Sequence, residues 1–317
     1  MGIQGLLQVL KNIQHRKHIS EYKGLRVAVD GYCWLHQGLY MCTYEAGVGV
    51  KSRKHIQYCA NRLEMLLDAG VIPIVVFDGA PLPMKKEVEE SRAKMREESK
   101  REAEDLWREG DSKKAQKVLA RGIDVTPEMA HQFIRILKKK NVEYVVAPYE
   151  ADAQMAFLYL ASSVSLIITE DSDLLAFGCR RVLYKLDSDG YGNEINLDDL
   201  KELGEFSLLG PDHDNFLRTC ILSGCDYLKS IKGVGFKKAL RYSIAGGDID
   251  KIITAIVREN KFIVPLDYKK NFERAFLTFK FQTVFDVKEK RLTSVTPIEN
   301  TSYIEINEYT DKDFLGP

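Results

Sequence analysis

Short apolar stretches recur along the chain, and longer stretches with helical periodicity separate most of them. Branched and aromatic side chains concentrate at Arg26–Val29, Ile72–Phe77, Tyr144–Ala147, Leu166–Thr169 and Val182–Lys185. Each stretch has the length of a buried strand. Because strands that alternate with helices are typical of a parallel sheet covered on both faces, the pattern predicts an α/β fold. Its sheet is expected to be twisted, mostly parallel and flanked by helices.

One helix is marked at its start as well as along its face. Thr126 can cap it, and Pro127 suits its first turn. An apolar stripe follows at helical spacing, formed by Met129, Ala130, Phe133, Ile136 and Leu137. The sequence therefore predicts a helix that begins at Pro127 and packs one face on the core.

Lys, Arg and Glu dominate the residues from about Pro83 to Arg121, which we call the charged segment. A solvated helix with ion pairs four residues apart explains most of these charges. Four of them nevertheless share one helical face, where they could contact phosphate: Lys85, Glu89, Arg92 and Arg96.

The remainder of the chain is predicted to be mainly helical, with an irregular end from about Thr293. The candidate helices lie near residues 211–222, 236–243, 249–258 and 266–281.

Composition leaves the class of partner open. The chain has 317 residues, and its 46 basic and 46 acidic side chains give a formal net charge of zero. Neutrality argues against a nucleic-acid partner, but in a nuclease basic residues for the DNA backbone and acidic residues for metal would cancel in the sum. Six cysteines without paired spacing indicate reduced thiols in an intracellular protein. No apolar run approaches the roughly 20 residues of a membrane span, so no membrane partner is expected.

Acidic residues follow several of the predicted strands. Asp30 and Asp78 end the first two, and Glu150 and Asp152 follow the third. Functional groups collect beyond the carboxyl ends of strands in an open parallel sheet. Turn formation, capping or a helix dipole would also explain each acid taken singly.

Three further acids complete the set, and together they indicate metal. Asp171 and Asp173 follow the fourth strand, and Asp226 stands among small and apolar residues. Seven converging carboxylates would repel one another strongly unless cations neutralised them. All-oxygen ligands without His or Cys favour Mg²⁺ or Mn²⁺ over zinc. Two ions about 4 Å apart could hydrolyse a phosphodiester without a histidine base.

A glycine turn offers a second phosphate contact. Gly233 and Gly235 precede a predicted helix whose first turn carries Lys237 and Lys238. Glycine lets the backbone approach phosphate, and the free amides of a helix N-terminus point towards it. A tight turn between helices would explain the glycines equally well.

Six motifs in order resemble the flap endonuclease superfamily of 5′ nucleases, over essentially the whole chain. They are Met1–Leu7, Val29–Tyr32, Val76–Gly79, Ala147–Asp152, Thr169–Asp173 and Ser223–Tyr227. Further stretches are similar to the eukaryotic exonuclease branch, namely Gly31–His36, Leu174–Cys179 and Phe279–Phe285. The excision-repair branch carries a very long insertion where this chain has its short charged segment.

The resemblance implies a role for each acid. Four would serve mainly one Mg²⁺ ion and three mainly the other, with Mn²⁺ able to substitute. The first set is Asp30, Asp78, Glu150 and Asp152, and the second is Asp171, Asp173 and Asp226. Lys85 and Arg92, on a helical arch formed by the charged segment, would stabilise charge on the scissile phosphate. Tyr32 would stack on a base, and His36 would wedge the bent duplex.

The resemblance also implies a DNA surface and a potassium site. The predicted DNA contacts are Gly2, Tyr32, His36, Arg96, Arg121, Gly233, Gly235, Lys237 and Lys238. The glycine turn would be a helix-two-turn-helix motif with K⁺ ligands at Ser223, Ser230, Lys232 and Val234. Glu90, Ala93 and Met95 stand where related arches are often basic, which implies fewer phosphate contacts and a shallower salt dependence.

The resemblance implies 5′-to-3′ exonuclease activity on double-stranded DNA, with cleavage of 5′ flaps, in mismatch repair, end resection and recombination in the nucleus. The chain is expected to be a monomer. Its expected partners are DNA ends, nicks, gaps and flaps, and mismatch-repair proteins through a tail that this chain lacks. Residues 1–99 and 138–229 would form two nuclease regions of one catalytic domain, wrapped by a helical part at 230–317. The alternatives are a dedicated flap endonuclease, a catalytically silent DNA-binding scaffold and a metal-dependent phosphatase.

Overall fold

A seven-stranded sheet forms the centre of the molecule in a computed structural model, which describes residues 2–43, 45, 52–210, 212–297 and 313–316. The strands are β1 (Gln14–His18), β2 (Arg26–Asp30), β3 (Ile72–Phe77), β4 (Glu143–Val146), β5 (Leu166–Thr169), β6 (Arg181–Tyr184) and β7 (Tyr191–Asn196). Their order across the sheet is β1-β7-β6-β5-β2-β3-β4. The pairs β2–β3, β2–β5, β3–β4 and β5–β6 are parallel, whereas β7 pairs antiparallel with both β1 and β6. The predicted mostly parallel sheet is confirmed.

The parallel strands lie where the apolar stretches predict them. Ile72–Phe77 and Leu166–Thr169 match the expected bounds, β2 extends one residue further, and β4 and β6 each begin and end one residue earlier than predicted. The antiparallel edge was not predicted. Its strand β1 reads Gln-His-Arg-Lys-His and has no buried residue, so no apolar alternation marks it.

Helices cover both faces of this sheet. They are α1 (Leu6–Val9), α2 (Gly31–Tyr40), α3 (Lys54–Asp68), α4 (Lys86–Arg108), α5 (Ser112–Gly122), α6 (Pro127–Lys139), α7 (Ala151–Leu160), α8 (Asp173–Ala176), α9 (His213–Ser223), α10 (Phe236–Gly246), α11 (Ile249–Arg258) and α12 (Tyr268–Phe281). On one face, Val27 and Val29 pack in a cluster with Trp34, Leu63 and Phe133 from α2, α3 and α6. On the other face, Ala28 packs with residues of α7, α9, α10 and α12. The two clusters use alternate residues of β2, as a pleated strand requires.

The helix predicted from Pro127 is present. The hydroxyl of Thr126 accepts a hydrogen bond from the Met129 amide at 3.4 Å. Ala130, Phe133 and Leu137 of the predicted stripe are buried.

The charged segment forms a short 3-10 turn (Pro83–Lys85) and the helices α4 and α5, which pack against each other. Gly122 permits their close approach, since an added β-carbon there would lie 3.1 Å from the Arg96 carbonyl oxygen. Within these two helices the structure buries only Ala103, Ala115, Leu119 and Gly122. The pair therefore stands over the body as the predicted helical arch.

The helical second half is also as predicted, except at its end. Thr293 was expected to begin an irregular tail, but it lies within β9 (Arg291–Ser294), which pairs with β8 (Thr283–Asp286). The hairpin was missed because Val-Lys-Glu-Lys at its turn contains no glycine, proline or asparagine. The turn is closed instead by Asp286, whose carboxylate accepts from the Lys288 and Glu289 amides at 2.8 and 3.1 Å. No helix in the described ranges is long and apolar enough to cross a membrane.

Candidate metal centre and nucleic-acid surface

Strand ends and the loops beyond them position the acidic residues at one edge of the sheet. Asp30 is the last residue of β2, and its carboxylate caps α2 by accepting from the Cys33 amide at 2.8 Å. Asp78 follows β3 and accepts from the Ala151 amide at 2.7 Å, at the start of α7. Glu150 is the residue before α7, and Asp152 lies in its first turn. Because β2 and β3 are parallel neighbours, these four acids share one edge.

Asp171 and Asp173, beyond the adjacent strand β5, meet Asp152 there. One carboxylate oxygen from each of the three lies within 4.8 Å of the others. In the part of the chain that the structure describes, buried oxygens of Asp152 and Asp173 have no hydrogen-bond partner. A divalent cation is the species that such converging, unpartnered oxygens fit.

The acids disturb one another's protonation. Burial raises the pKa of Asp30 to about 7, with a further contribution from the Asp78 carboxylate. Burial likewise raises the pKa of Asp78 to about 6. It also raises the pKa of Asp152 and Asp173 well above the ordinary range, and the negative charge of Asp171 adds to both shifts. Without metal, this crevice disfavours the charged forms that a cation would stabilise.

Two basic residues of the charged segment reach the seventh acid. Lys85 pairs with Glu150 and lies 3.2 Å from Asp226, while a guanidinium nitrogen of Arg92 lies 2.7 Å from the same Asp226 oxygen. Burial raises the pKa of Asp226, but Lys85 and then Arg92 outweigh it and hold that pKa below its ordinary value. The structure thus brings all seven acids, Lys85 and Arg92 to one crevice.

Two neutral side chains that the sequence analysis missed orient Glu150. The Tyr227 hydroxyl donates to Glu150 Oε2 at 2.6 Å, and Gln282 Nε2 donates to the same oxygen at 3.0 Å. Both side chains are buried. Their donation to Oε2 leaves Oε1 for the ion pair with Lys85. Tyr227 stands beside Asp226, but nothing in the sequence links Gln282, 132 residues away, to Glu150.

We expect Tyr227→Phe to raise the Mg²⁺ concentration needed for half-maximal cleavage by about 10-fold, the lower end of the usual effect of losing a ligand-orienting hydrogen bond. Metal titrations of cleavage rate measure this shift. Tyr268→Phe is the matched control, since Tyr268 is as deeply buried and its hydroxyl has no hydrogen-bond partner among the described residues. Equal metal requirements in the two variants would exclude this role for Tyr227.

The predicted wedge region is held by an acid between α5 and α6. Asp124 lies 3.7 Å from His36 Nε2 through one oxygen and 3.2 Å from a guanidinium nitrogen of Arg96 through the other. His36, Arg92, Arg96 and Arg121 all line a cavity of about 490 Å³ under the charged segment. Tyr32 is half-buried at the start of α2, edge-on to the Phe77 ring. These candidate DNA contacts therefore flank the acids.

Gly2, which is predicted to contact DNA, lies directly against an acid of the crevice. Its φ is +90°, and an added β-carbon would stand 2.0 Å from Asp171 Oδ1. The next residue is fixed in place, because the Ile3 amide donates to the Ser172 hydroxyl at 2.9 Å. Only glycine fits this approach of the backbone to Asp171.

The glycine turn lies between the Asp226 loop and α10. Gly233 has φ +89°, and Gly235 immediately precedes α10. Lys237 and Lys238 are both exposed, and Lys238 also donates to the Gly233 carbonyl at 2.7 Å and lies over the Phe262 ring. Both lysines therefore face solvent, and the turn itself orients Lys238.

The predicted potassium ligands surround this turn and the end of α9. The Ser223 hydroxyl is buried and donates to the Cys220 carbonyl at 2.7 Å. The Val234 amide donates to the Ile231 carbonyl at 2.8 Å, and Lys232 is exposed. Ser230 lies beside Gly224, whose added β-carbon would stand 3.2 Å from the Ser230 amide nitrogen. The potassium site remains a prediction.

Two family models match the chain: the XPG N-terminal domain over residues 1–99 and the XPG I-region over residues 141–226. Exonuclease 1 of Arabidopsis thaliana is 44% identical over the whole chain, which spans 42% of that relative's length. The DNA damage-inducible protein DIN7 of Saccharomyces cerevisiae is 35% identical over 94% of the chain and 70% of its own length. The catalytic core of Rad2 in complex with a DNA substrate superposes with a TM-score of 0.68 at 20% identity, over 93% of this chain and 90% of that one.

Proposed function

Since the chain belongs to the XPG family, in common with exonuclease 1 and DIN7, we propose that it is a metal-dependent 5′-to-3′ deoxyribonuclease. The family resemblance predicted from the motifs is confirmed. The chain spans about two fifths of the length of the exonuclease 1 relatives, so activity, substrates and partners are part of the proposal.

The arrangement of the acids with Lys85 and Arg92 carries this proposal. The seven acids would hold two Mg²⁺ ions, or Mn²⁺ in their place. When bound, the ions would activate water and stabilise the leaving oxygen of a phosphodiester. This chemistry needs acids at the strand ends and basic side chains beside them, and the described residues provide both.

The chain's own side chains would bind and orient the scissile phosphate. In the structure, Lys85 pairs with Glu150 and Arg92 pairs with Asp226. A phosphate bound in the crevice would accept hydrogen bonds from the same Lys85 and Arg92 nitrogens. Arginine suits this role because its planar guanidinium can contact two oxygens at once. Tyr32 would stack on the adjacent base, and His36 would wedge the duplex.

The proposed substrate is duplex DNA at an end, nick or gap, with 5′ flaps as a second substrate. Cavity-lining Arg96 and Arg121 would contact the strand under the charged segment, and Lys237 and the amides before α10 would contact the uncut strand, with K⁺ at the turn. The relative named DNA damage-inducible is consistent with a place in nuclear DNA repair. Mismatch-repair proteins are the proposed protein partners of the monomer.

Product analysis tests the proposal. A 5′-labelled duplex, a nicked duplex and a 5′ flap would be incubated with the protein, with Mg²⁺ or with EDTA. We expect mainly mononucleotides from the duplex and the nick, cleavage at the flap base, and no product in EDTA. A single cut at the flap base and nothing else would instead identify a dedicated flap endonuclease. Absence of all products with Mg²⁺ would contradict a nuclease.

Lys237→Ala is expected to weaken DNA binding and to reduce the salt dependence of log K by about 1, because one phosphate contact is lost. Fluorescence anisotropy with nicked DNA at several KCl concentrations, with Ca²⁺ replacing Mg²⁺, measures that slope. Lys251→Ala is the control, since Lys251 pairs with Asp248 at 2.8 Å on the neighbouring helix. If both variants gave the slope of the unaltered protein, Lys237 would not contact DNA.

A further inference from the structure

Residues 313–316 pack beside the metal centre, although they lie far from it in sequence. Phe314 and Leu315 are buried in a small cluster with Leu277 and Phe281 of α12. Arg274, one turn earlier on α12, places its guanidinium 4.8 Å from the centre of the Phe314 ring. The segment is thus held on α12 by apolar and cation–π contacts together.

Three of its contacts fall on residues adjacent in sequence to groups in the crevice. Met84 packs against the Phe314 cluster and precedes Lys85. Gly316 lies against the ring of Tyr149, which precedes Glu150; an added β-carbon on Gly316 would stand 2.2 Å from that ring. The Thr283 hydroxyl donates to the Gly316 carbonyl at 2.6 Å, and Thr283 follows Gln282.

The three crevice residues next to these contacts, Lys85, Glu150 and Gln282, form one hydrogen-bonded unit. Lys85 pairs with one carboxylate oxygen of Glu150, and Gln282 donates to the other. A shift of Met84, Tyr149 or Thr283 would move a member of this unit through a single peptide linkage. Close-packed contacts transmit such shifts because interiors have few voids to absorb them.

We propose that residues 313–316 are a positioning segment, which holds Lys85, Glu150 and Gln282 in register for metal binding. The inference rests on the proposed function, because it assigns the segment a role in the same metal centre. Substitutions in residues 313–316, which contact neither metal nor DNA, should therefore change metal affinity measurably.

Phe314→Ala tests the proposal, with Mn²⁺ binding followed by electron paramagnetic resonance. We expect Mn²⁺ affinity to fall about 10-fold, as for loss of a group that orients a ligand. The Mg²⁺ concentration for half-maximal cleavage should rise in parallel, while DNA affinity in Ca²⁺ stays within about 2-fold, because Lys85 is only one of several proposed phosphate contacts. Phe314→Leu, which keeps an apolar side chain, should restore most of the Mn²⁺ affinity.

Ile256→Ala serves as the control for lost stability, since it removes a fully buried side chain from α11. Mn²⁺ affinity of Phe314→Ala equal to that of Ile256→Ala would overturn the proposal. If Phe314→Ala did not fold, Thr283→Val, which deletes only the hydrogen bond to Gly316, would decide by the same comparison. Mn²⁺ binding is measured without DNA, so a wild-type protein that cut nothing would refute the nuclease and leave this test intact.

Discussion

Asp173→Asn is expected to lower the rate of DNA cleavage by at least about 1,000-fold, because a metal ion contributes several kcal/mol of charge stabilisation and each 1.36 kcal/mol is tenfold in rate. Asp173 is buried, and one of its oxygens converges with oxygens of Asp152 and Asp171. An amide in its place offers a weaker neutral ligand. Single-turnover cleavage of a nicked duplex measures the loss, and anisotropy in Ca²⁺ should show that DNA still binds.

The same substitution is expected to stabilise the metal-free protein at neutral pH, by roughly 1 kcal/mol or more, because one pKa unit corresponds to about 1.36 kcal/mol and an amide has no charged form to disfavour. Burial, and then the negative charge of Asp171, raise the pKa of Asp173 well above its ordinary value. Thermal unfolding in EDTA should therefore show a higher Tm for the inactive variant. A gain in stability with a loss of activity distinguishes a functional acid from a structural one.

Asp198→Asn is the control for this pair of measurements, since Asp198 is exposed and pairs with Arg180 at 2.7 Å. It should change neither the cleavage rate nor the Tm appreciably. Cleavage by Asp173→Asn at the rate of the Asp198→Asn control would remove Asp173 from the metal centre.

The stability of the metal-free protein is expected to fall as pH rises from about 4 to 7. Folding raises the pKa of Asp30 to about 7 and that of Asp78 to about 6. The folded chain therefore binds more protons than the unfolded chain between the ordinary carboxyl pKa and these values, so each rise in pH favours unfolding. The stabilisation that Asp30 and Asp78 contribute through their raised pKa values is complete below about pH 4 and lost above about pH 7.

Saturating Mg²⁺ should abolish this decline, because cations replace the protons and metal affinity increases as the acids ionise. Unfolding in urea at pH 5, 6 and 7 measures both conditions, and we expect a loss of roughly 2 to 4 kcal/mol in EDTA alone, since one pKa unit corresponds to about 1.36 kcal/mol. Asp226, whose pKa is lowered, opposes the trend only near and below its ordinary pKa. His36, His55 and His213, whose pKa values burial lowers, oppose it below about pH 6.5 in both conditions. A metal-free protein whose stability fell no more from pH 5 to 7 than that of the Mg²⁺-saturated protein would contradict the raised carboxyl pKa values.

The predictable part of the fold is the part with apolar periodicity. Apart from the exposed Ile72, residues Ile72–Phe77 and Leu166–Thr169 are buried and lie between other strands of the sheet, so their composition alone marks them as strands. Gln14–His18 becomes β1 because its backbone pairs with β7, from Gln14 opposite Ile195 to His18 opposite Tyr191. Backbone pairing at an exposed edge leaves no signal in the side chains, and this edge was therefore missed.

The acids could be predicted for a related reason. Each of Asp30, Asp78 and Asp171 follows a recognisable strand, and parallel topology alone brings strand ends together. The residues that orient them could not be found this way. Gln282 reaches Glu150 only because the chain passes from the end of α12 into β8, which packs against α7, and Gly316 reaches Tyr149 only because residues 313–315 pack on α12. Such contacts depend on tertiary packing between distant segments.

The number of divalent ions bound by the seven acids is the most direct measure of the proposed centre. Mn²⁺ would be titrated into the metal-free protein with a nicked duplex present, and free Mn²⁺ followed by electron paramagnetic resonance. Two bound ions are expected per chain, with Asp173→Asn losing at least one of them and Asp198→Asn losing neither. Equal Mn²⁺ binding by all three proteins, or no binding by the unaltered chain, would show that the carboxylate cluster is not a two-metal centre.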